Sequence, residues 1–351
     1  MINDIINIIE SGKLSGFRGT PEGHNGGYWV QALEEAFKEY FKVKHAISMN
    51  SATACLHSAV VAASYNAGKF LTYVTPYSFS SSVSCVLMAQ CTPKFGDIDE
   101  DTFNLLPIDR FFIISIPVHL MGHPCDLDEF MANFIIEDAS QAIGAEYKSR
   151  KVGTIGDCGI FSFNQSKQIS CGEGGMLITN NDYIARVCRA MRNHGEVSDP
   201  DLKIVGYNYR LGEIEARIVL EQFKHLDENL AYRNELAQYM TSRIIEIDGL
   251  IPPKVMPYCT KHAWYTYAVR YLRKDMHRNE FQREMMNRGI YFGAGYVTPI
   301  YHQPIYNIRE PICPVAERMY KDELMVFDWL KTGKTKKDVD KAIDTAKAIL
   351  K

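Results

Sequence analysis

Between about Ala46 and Asn180, short apolar runs recur at Leu71–Val74, Phe111–Ile116, Phe134–Ile136 and Gly159–Phe163, separated by stretches of helical character. Runs without polar alternation belong to strands covered on both faces, and strands that alternate with helices pair in parallel. The pattern predicts an α/β fold with a mostly parallel central sheet and helices on both faces. In such folds, polar groups at the C-terminal strand ends open into the crevice that takes ligands. A long helical region begins near Ile214 and runs through Glu221-Gln222-Phe223 to Arg243. Beyond it, Trp264-Tyr265-Thr266-Tyr267-Ala268-Val269 and the Arg288-Gly289-Ile290 turn read as a smaller α+β lobe. A chain of 351 residues exceeds what one compact core usually serves, so two domains are expected, residues 1–230 and 231–351.

Lys167 closes the segment Phe161-Ser162-Phe163-Asn164-Gln165-Ser166-Lys167, and Gly172-Glu173-Gly174-Gly175 follows before the apolar Met176-Leu177-Ile178. It therefore stands between two apparent strands, beside a glycine turn that lets backbone pass close by. A buried reactive amine fits this placement, although an ordinary loop lysine fits it too. Nucleophilic lysines form Schiff bases in surroundings that lower the ammonium pKa, which points to a carbonyl cofactor. Phe134-Ile135-Ile136-Glu137-Asp138-Ala139-Ser140-Gln141 is an apolar strand ending in acids, with Asp138 as the candidate ligand group or, equally in form, a helix cap. Pyridoxal phosphate needs an anion facing its ring nitrogen, because the protonated ring is the better electron sink. At an effective dielectric of about 20 and a separation of about 4 Å, such a pair attracts by roughly 4 kcal/mol.

A phosphate needs backbone amides at a helix N-terminus together with hydroxyls. Ile47-Ser48-Met49-Asn50-Ser51-Ala52-Thr53 reads as a strand, a polar turn and a helix start. With Asn50 and Ser51 as caps, the amides of Ala52 and Thr53 are left for an anion. Ser162 adds a hydroxyl on the same side. Phe79, in Thr75-Pro76-Tyr77-Ser78-Phe79-Ser80, offers a face to a planar ring or else packs in the core.

These segments, in this order, resemble the DegT/DnrJ/StrS family of pyridoxal-phosphate-dependent sugar aminotransferases of fold type I. The resemblance runs from about Gly26 to the C-terminus and includes Gly26-Gly27-Tyr28-Trp29-Val30, Arg192-Asn193-His194-Gly195, Gly206-Tyr207-Asn208-Tyr209-Arg210 and Cys313-Pro314-Val315-Ala316-Glu317-Arg318. It implies that Lys167 carries the cofactor as an internal aldimine and shuttles the proton, that Asp138 partners the ring nitrogen, and that Gln141 lies beside the ring hydroxyl. It further implies that Ala52, Thr53 and Ser162 hold the phosphate. Asn208 falls on an asparagine that reaches the neighbouring subunit's cofactor, so a homodimer with shared active sites is expected. The family's common Ser-Gly-Thr is Ser51-Ala52-Thr53 here, a change that costs backbone freedom without removing an amide. The segment around Phe79 is also a residue shorter than in some relatives.

The implied reaction is a ping-pong transamination from an amino acid, L-glutamate, to a keto group of a nucleotide-linked deoxysugar, feeding surface polysaccharide or natural-product synthesis. Family members with histidine at the Lys167 position are deoxysugar dehydratases, and the lysine argues against that chemistry here. Two alternatives stand beside it: a keto-cyclitol as acceptor, and a cofactor-binding regulatory protein without turnover. Intact Lys167, Asp138 and Asn208 disfavour the second. Candidate substrate contacts are Arg18, His119, His194, Tyr296, Tyr301 and His302, each of which also fits a packing, capping or solvent-facing role.

A net charge of -3 and a pI near 6.4 give no electrostatic footprint for nucleic acid. Lys334, Lys336 and Lys337 alternate with Asp338 and Asp340 on an expected solvated helix face. No apolar run approaches the roughly 18 residues of a membrane span, and Met1-Ile2-Asn3-Asp4 lacks the positive start of a signal peptide. Nine cysteines without a C-x-x-C pair suit reduced thiols in a cytoplasmic protein, and no metal site is expected.

Overall fold

The computed structural model describes residues 1–17, 24–65, 68–196, 202–291, 298–327 and 333–351. Strands β1 (His45–Met49), β2 (Leu71–Val74), β3 (Thr92–Phe95), β4 (Phe112–Ile116) and β5 (Ala132–Asp138) lead to a short hairpin, β6 (Glu146–Tyr147) and β7 (Arg150–Lys151), then to β8 (Cys158–Ser162) and β9 (Gly175–Thr179). Seven of these form one sheet in the order β1-β9-β8-β5-β4-β2-β3. Pairing is parallel from β8 to β3, whereas β9 runs antiparallel to both β8 and β1. The expected mostly parallel sheet is what forms. β3 escapes the apolar-run reading because Thr92-Pro93-Lys94-Phe95 is an edge strand, where a proline and a charge are tolerated.

The reversal at β9 matters for function. A parallel neighbour would need a crossover helix, but an antiparallel one lets the chain turn back directly at the C-terminal end of β8. Residues 163–174, with Lys167 among them, therefore stay at the ligand-binding edge of the sheet.

Side-chain alternation splits the strands between two cores. Helices α1 (Ile2–Ser11) and α2 (Tyr28–Phe41) precede β1; α3 (Ala52–Ser64) and α4 (Ser81–Met88) follow β1 and β2; α5 (Asp182–Arg192), α6 (Glu213–Phe223) and α7 (Leu226–Ile244) follow β9. Ile160 and Leu177 face α3, α4 and α5, while Phe161, Met176 and Ile178 face α2 and α6. Glu213 accepts from the amides of Trp29 (2.9 Å) and Val30 (3.4 Å) and so caps α2 from a distant helix. A Cβ on Gly27 would lie 2.6 Å from that carboxyl group, which accounts for glycine in the Gly26-Gly27-Tyr28 motif. Arg192 is fully buried and donates to Glu34 (2.6 Å) and to the Ser48 carbonyl (3.2 Å), tying α5 to α2 and β1.

The third core lies in the C-terminal region, around a sheet of order β10-β12-β13 (Leu250–Ile251, Tyr267–Tyr271, Leu324–Phe327), while β11 (Cys259–Lys261) pairs with β6. Helix α7 serves two cores: Leu226 and Leu230 pack in the second, and Leu236, Ala237, Met240 and Ile244 in the third. The boundary read at residue 230 thus falls within one continuous helix. The C-terminal part also returns to the large sheet, since Ile300 and Tyr301 pack in the first core and Ile300 donates to the Pro76 carbonyl (2.7 Å). After α8 (Arg278–Asn287), helix α9 (Pro314–Arg318) is capped by Asp97, which accepts from Val315 (2.9 Å) and Ala316 (3.0 Å). The final helix, α10 (Lys336–Ile349), begins with a capping box between Thr335 and Asp338. Among the described residues, no helix is long and apolar enough to cross a membrane. All nine cysteines are free thiols.

Candidate active site

A cavity of about 280 Å³ opens at the C-terminal ends of the parallel strands. Along β5 the side chains alternate, so two adjacent acids serve different ends. Glu137, fully buried, accepts from the amides of Gly153, Ile155 and Gly156 at 2.6–2.7 Å and organises the loop before β8. Asp138 faces the cavity. It accepts from Ser82 Oγ (2.7 Å) and from the Ser140 amide (3.2 Å). A carboxylate offers about four acceptor positions, so these two bonds fix its orientation and leave capacity for a cationic partner.

The N-terminus of α3 points into the same cavity. Ser51 Oγ accepts from the Ala54 amide (3.1 Å) and is the N-cap. Asn50 is not a second cap: its side chain donates to the Asn208 carbonyl (3.3 Å) and its amide to Tyr209 (2.8 Å). Ala52 and Thr53 occupy the first turn, whose amides have no acceptor within the helix. Helix and sheet are in close contact here, for a Cβ on Gly175 would stand 2.5 Å from Ala52 N. Ser162 Oγ lies beside them and accepts from the Asn164 amide (3.3 Å).

Lys167 lines the cavity opposite, half-buried rather than fully buried as its sequence context suggested. Its Nζ lies 4.2 Å from the centroid of the Tyr265 ring. Phe79 stands at the rim just before α4 with 62% of its surface exposed, an unusual state for a large apolar ring and one suited to covering a planar ligand. Gln141 is buried at the cavity wall, where its Oε1 accepts from Met121 N (2.8 Å). Lys167, Asp138, Ala52, Thr53, Phe79, Gln141 and Ser162 therefore meet in one place. Ser78, Ser82, Asn164, Ser166, Glu173 and Tyr265 join them without having been expected. Nothing local distinguishes Ser82 from its serine neighbours, and Tyr265 arrives from beyond α7.

The motifs around Arg192 and Asn208 prove to be partners. Asn193 bridges Asn208, Tyr207 and Tyr209 donate to the carbonyls of Met191 and Arg192, and a Cβ on Gly206 would fall 2.0 Å from Gly195 N. Tyr207 and Tyr209 stack at 5.0 Å beside His57 of α3, and Tyr209 hydroxyl meets His57 Nδ1 at 3.0 Å. Asn208, between them, is exposed, and its Oδ1 accepts from Arg210 Nε (2.9 Å); it does not line its own chain's cavity.

Three substrate candidates have partners within the chain. His119 is fully buried: Nδ1 accepts from the Cys125 amide (2.9 Å), so Nε2 carries the proton and donates to Glu137 (3.1 Å). Tyr301 is equally buried and donates to Glu317 (2.6 Å), to which His302 Nε2 is also paired at 2.6 Å. His119 and Tyr301 are thus held within the packing, whereas His302 is exposed beside its Glu317 partner. His194 is exposed in the left-handed turn after α5 (φ 59°), outside the cavity. Arg18 and Tyr296 lie outside the described residues.

Four needs of pyridoxal phosphate are met together: an amine for its carbonyl, a carboxylate for its ring nitrogen, free helix amides with a hydroxyl for its phosphate, and an exposed ring for its face. The fit rests on this chain's own donors and acceptors. The DegT/DnrJ/EryC1/StrS aminotransferase family model matches residues 21–344. The spore coat polysaccharide biosynthesis protein SpsC of Bacillus subtilis (strain 168) is 30% identical, over 100% of this chain and 94% of its own. GDP-perosamine synthase of Caulobacter vibrioides is 35% identical, over 70% of this chain and 69% of its own. The crystal structure of S. venezuelae DesV in complex with a ketimine intermediate matches with a TM-score of 0.85 at 26% identity, over 99% of this chain and 93% of that one. From the cavity and these likenesses together, the chain belongs to the DegT/DnrJ/EryC1/StrS family of pyridoxal-phosphate-dependent aminotransferases.

Proposed function

We propose that this aminotransferase moves an amino group from an amino acid, L-glutamate, to a keto group on a nucleotide-linked deoxysugar, in two half-reactions at one site. The observation that carries the reading is the meeting of the Lys167 amine, the Asp138 carboxylate and the α3 N-terminus in a single cavity. Bound there, pyridoxal phosphate supplies an electron sink for breaking a carbon–hydrogen bond beside nitrogen. Asp138, oriented by Ser82 and Ser140, would hold the proton on the ring nitrogen. The amides of Ala52 and Thr53 and the hydroxyl of Ser162 would anchor the phosphate, Gln141 would lie beside the ring hydroxyl and Phe79 would cover the ring. Lys167 would be the tether, and its amine is the base placed to move the substrate's α-proton.

The sugar acceptor is supported by the relatives, one of which is named as a GDP-perosamine synthase and another for polysaccharide biosynthesis. Asn208, exposed between its two tyrosines, delivers its amide to the phosphate site of a neighbouring subunit, so the working unit is a homodimer with shared sites, acting in the cytoplasm. A panel of nucleotide-linked 3-keto and 4-keto sugars and keto-cyclitols, offered with glutamate, tests the assignment. One nucleotide-linked keto-sugar should be aminated at the expense of glutamate. Amination of a keto-cyclitol alone would overturn the sugar assignment.

A further inference from the structure

The ring beneath the Lys167 amine, that of Tyr265, comes from beyond α7 in the chain, and three tethers hold it there. Arg233, a buried residue of α7, donates from one guanidinium nitrogen to the carbonyls of Trp264 (3.0 Å) and Tyr265 (3.4 Å). The Tyr265 amide donates to the Met121 carbonyl (3.0 Å), while Met121's own amide donates to Gln141 on the cavity wall (2.8 Å). The third tether is the hydroxyl. Tyr265 hydroxyl lies 3.0 Å from Ser166 Oγ, and Ser166 already donates to Asn164 Oδ1 (3.0 Å), so the tyrosine is the donor. Asn164 passes the chain on, donating to Glu173 Oε1 (2.9 Å).

Trp264, directly before Tyr265, has φ 45°. A bulky residue adopts the left-handed region only when its surroundings enforce it, and such strain gathers at functional sites. Gly122 makes room for the turn, since a Cβ there would meet Trp264 N at 2.7 Å. With backbone and hydroxyl both fixed, the ring presents its face to Lys167, whose Nζ lies 4.2 Å from the centroid. A cation over an aromatic face at this distance is attracted to the ring.

We propose that Tyr265 is a positioning residue for Lys167, its ring being the rest position of the ε-amine whenever that amine is not bonded to the cofactor. A lysine has four rotatable bonds and, unheld, leaves the cavity for water; the fixed ring keeps it within reach of the reacting carbon. The proposal rests on Lys167 being the reacting amine.

Wild type, Tyr265→Phe and Tyr265→Leu are compared by two measurements. In the apoprotein, the rate of Lys167 acetylation by acetic anhydride is followed by peptide mass spectrometry against the exposed Lys337. In the holoenzyme, kcat and KM for the amino-acid donor are measured. Tyr265→Leu should raise the acetylation ratio about tenfold and lower kcat about tenfold, with KM within about twofold. Tyr265→Phe, which keeps the ring, should stay within about threefold of wild type in both. Should the leucine variant not fold, Tyr265→Met takes its place. A wild-type acetylation ratio or wild-type kcat without the ring overturns the proposal, as does a phenylalanine variant as impaired as the leucine one. If Lys167→Ala kept transaminating, the functional reading would fail, while the acetylation ratio would still report where the amine rests.

Discussion

Gly175→Ala tests the phosphate cradle through geometry alone. The added Cβ would stand 2.5 Å from Ala52 N, 2.6 Å from Ser51 C and 2.8 Å from Ala52 Cα. All three are backbone atoms, so no rotamer change relieves the clash. An ordinary contact of about 3.5 Å requires a displacement of about 1 Å. β9 does not yield, because Met176, Leu177 and Ile178 are fully buried and the strand is paired on both sides. The first turn of α3 must move instead. Overpacking of this kind costs about 1–3 kcal/mol of stability. A shift of about 1 Å also takes an amide–phosphate distance from about 2.9 Å to about 3.9 Å, beyond hydrogen-bond range. Each bond to a charged group is worth about 1.5–3 kcal/mol, so losing one weakens cofactor binding roughly 10- to 100-fold. The assay is titration of the apoprotein with pyridoxal phosphate, read by tryptophan fluorescence, beside Gly172→Ala. Gly172 has φ +93° and nothing within 4 Å of its ideal Cβ, so its variant carries backbone strain without the clash. If Gly175→Ala bound the cofactor as tightly as wild type, the phosphate would not be held by the α3 N-terminus.

Asp138→Asn keeps the volume and the Ser82 contact but loses the charge; removing an ion pair of roughly 4 kcal/mol should weaken cofactor retention and slow turnover about a thousandfold, and near wild-type kinetics would sink the assignment. Burial pushes His123 down to about 4 and His262 well below its usual range, so both stay neutral while the unfolded chain takes up protons below about pH 6.5. For His123 alone, stability present above pH 6.5 should fall by about 3 kcal/mol as the pH drops to about 4, and urea midpoints should show a shallower fall for His123→Gln; parallel curves would refute the cause. Mixing Lys167→Ala chains with an inactive Asn208 variant should restore one intact site per mixed dimer. If mass spectrometry shows subunit exchange and no activity returns, Asn208 serves its own chain.

Much of this architecture can be read without coordinates because the relevant forces act over a few residues. Unbroken apolar runs specify strands buried on both faces, and Ser51 before a small-residue helix specifies an N-cap, since each feature is settled by neighbours within about a turn. Lys167 between two strands and Asp138 at a strand end were legible for the same reason. Strand direction was not. Met176-Leu177-Ile178 is as apolar as a parallel strand, and only the pairing of β9 between β8 and β1 makes it turn back and keep Lys167 at the sheet's edge.

Polar roles were the least legible, because a side chain's hydrogen bonds depend on what the fold brings opposite it. Histidine after a strand, as in Val118-His119, is compatible with a ligand; in the fold its two nitrogens are taken by Cys125 and Glu137. Tyr301, in a segment associated with substrate, is held in the core by Glu317. The converse holds for Ser82 and Tyr265, plain in sequence yet set against Asp138 and Lys167. By itself the sequence determined the central apolar strands, the Ser51 cap and the placing of Lys167 between two strands and of Asp138 at a strand end, all products of local periodicity and chemistry. Tertiary structure alone decided which distant groups orient them, because sheet order and the clamp of Arg233 on residues 264–265 bring together chain segments that no local interaction links.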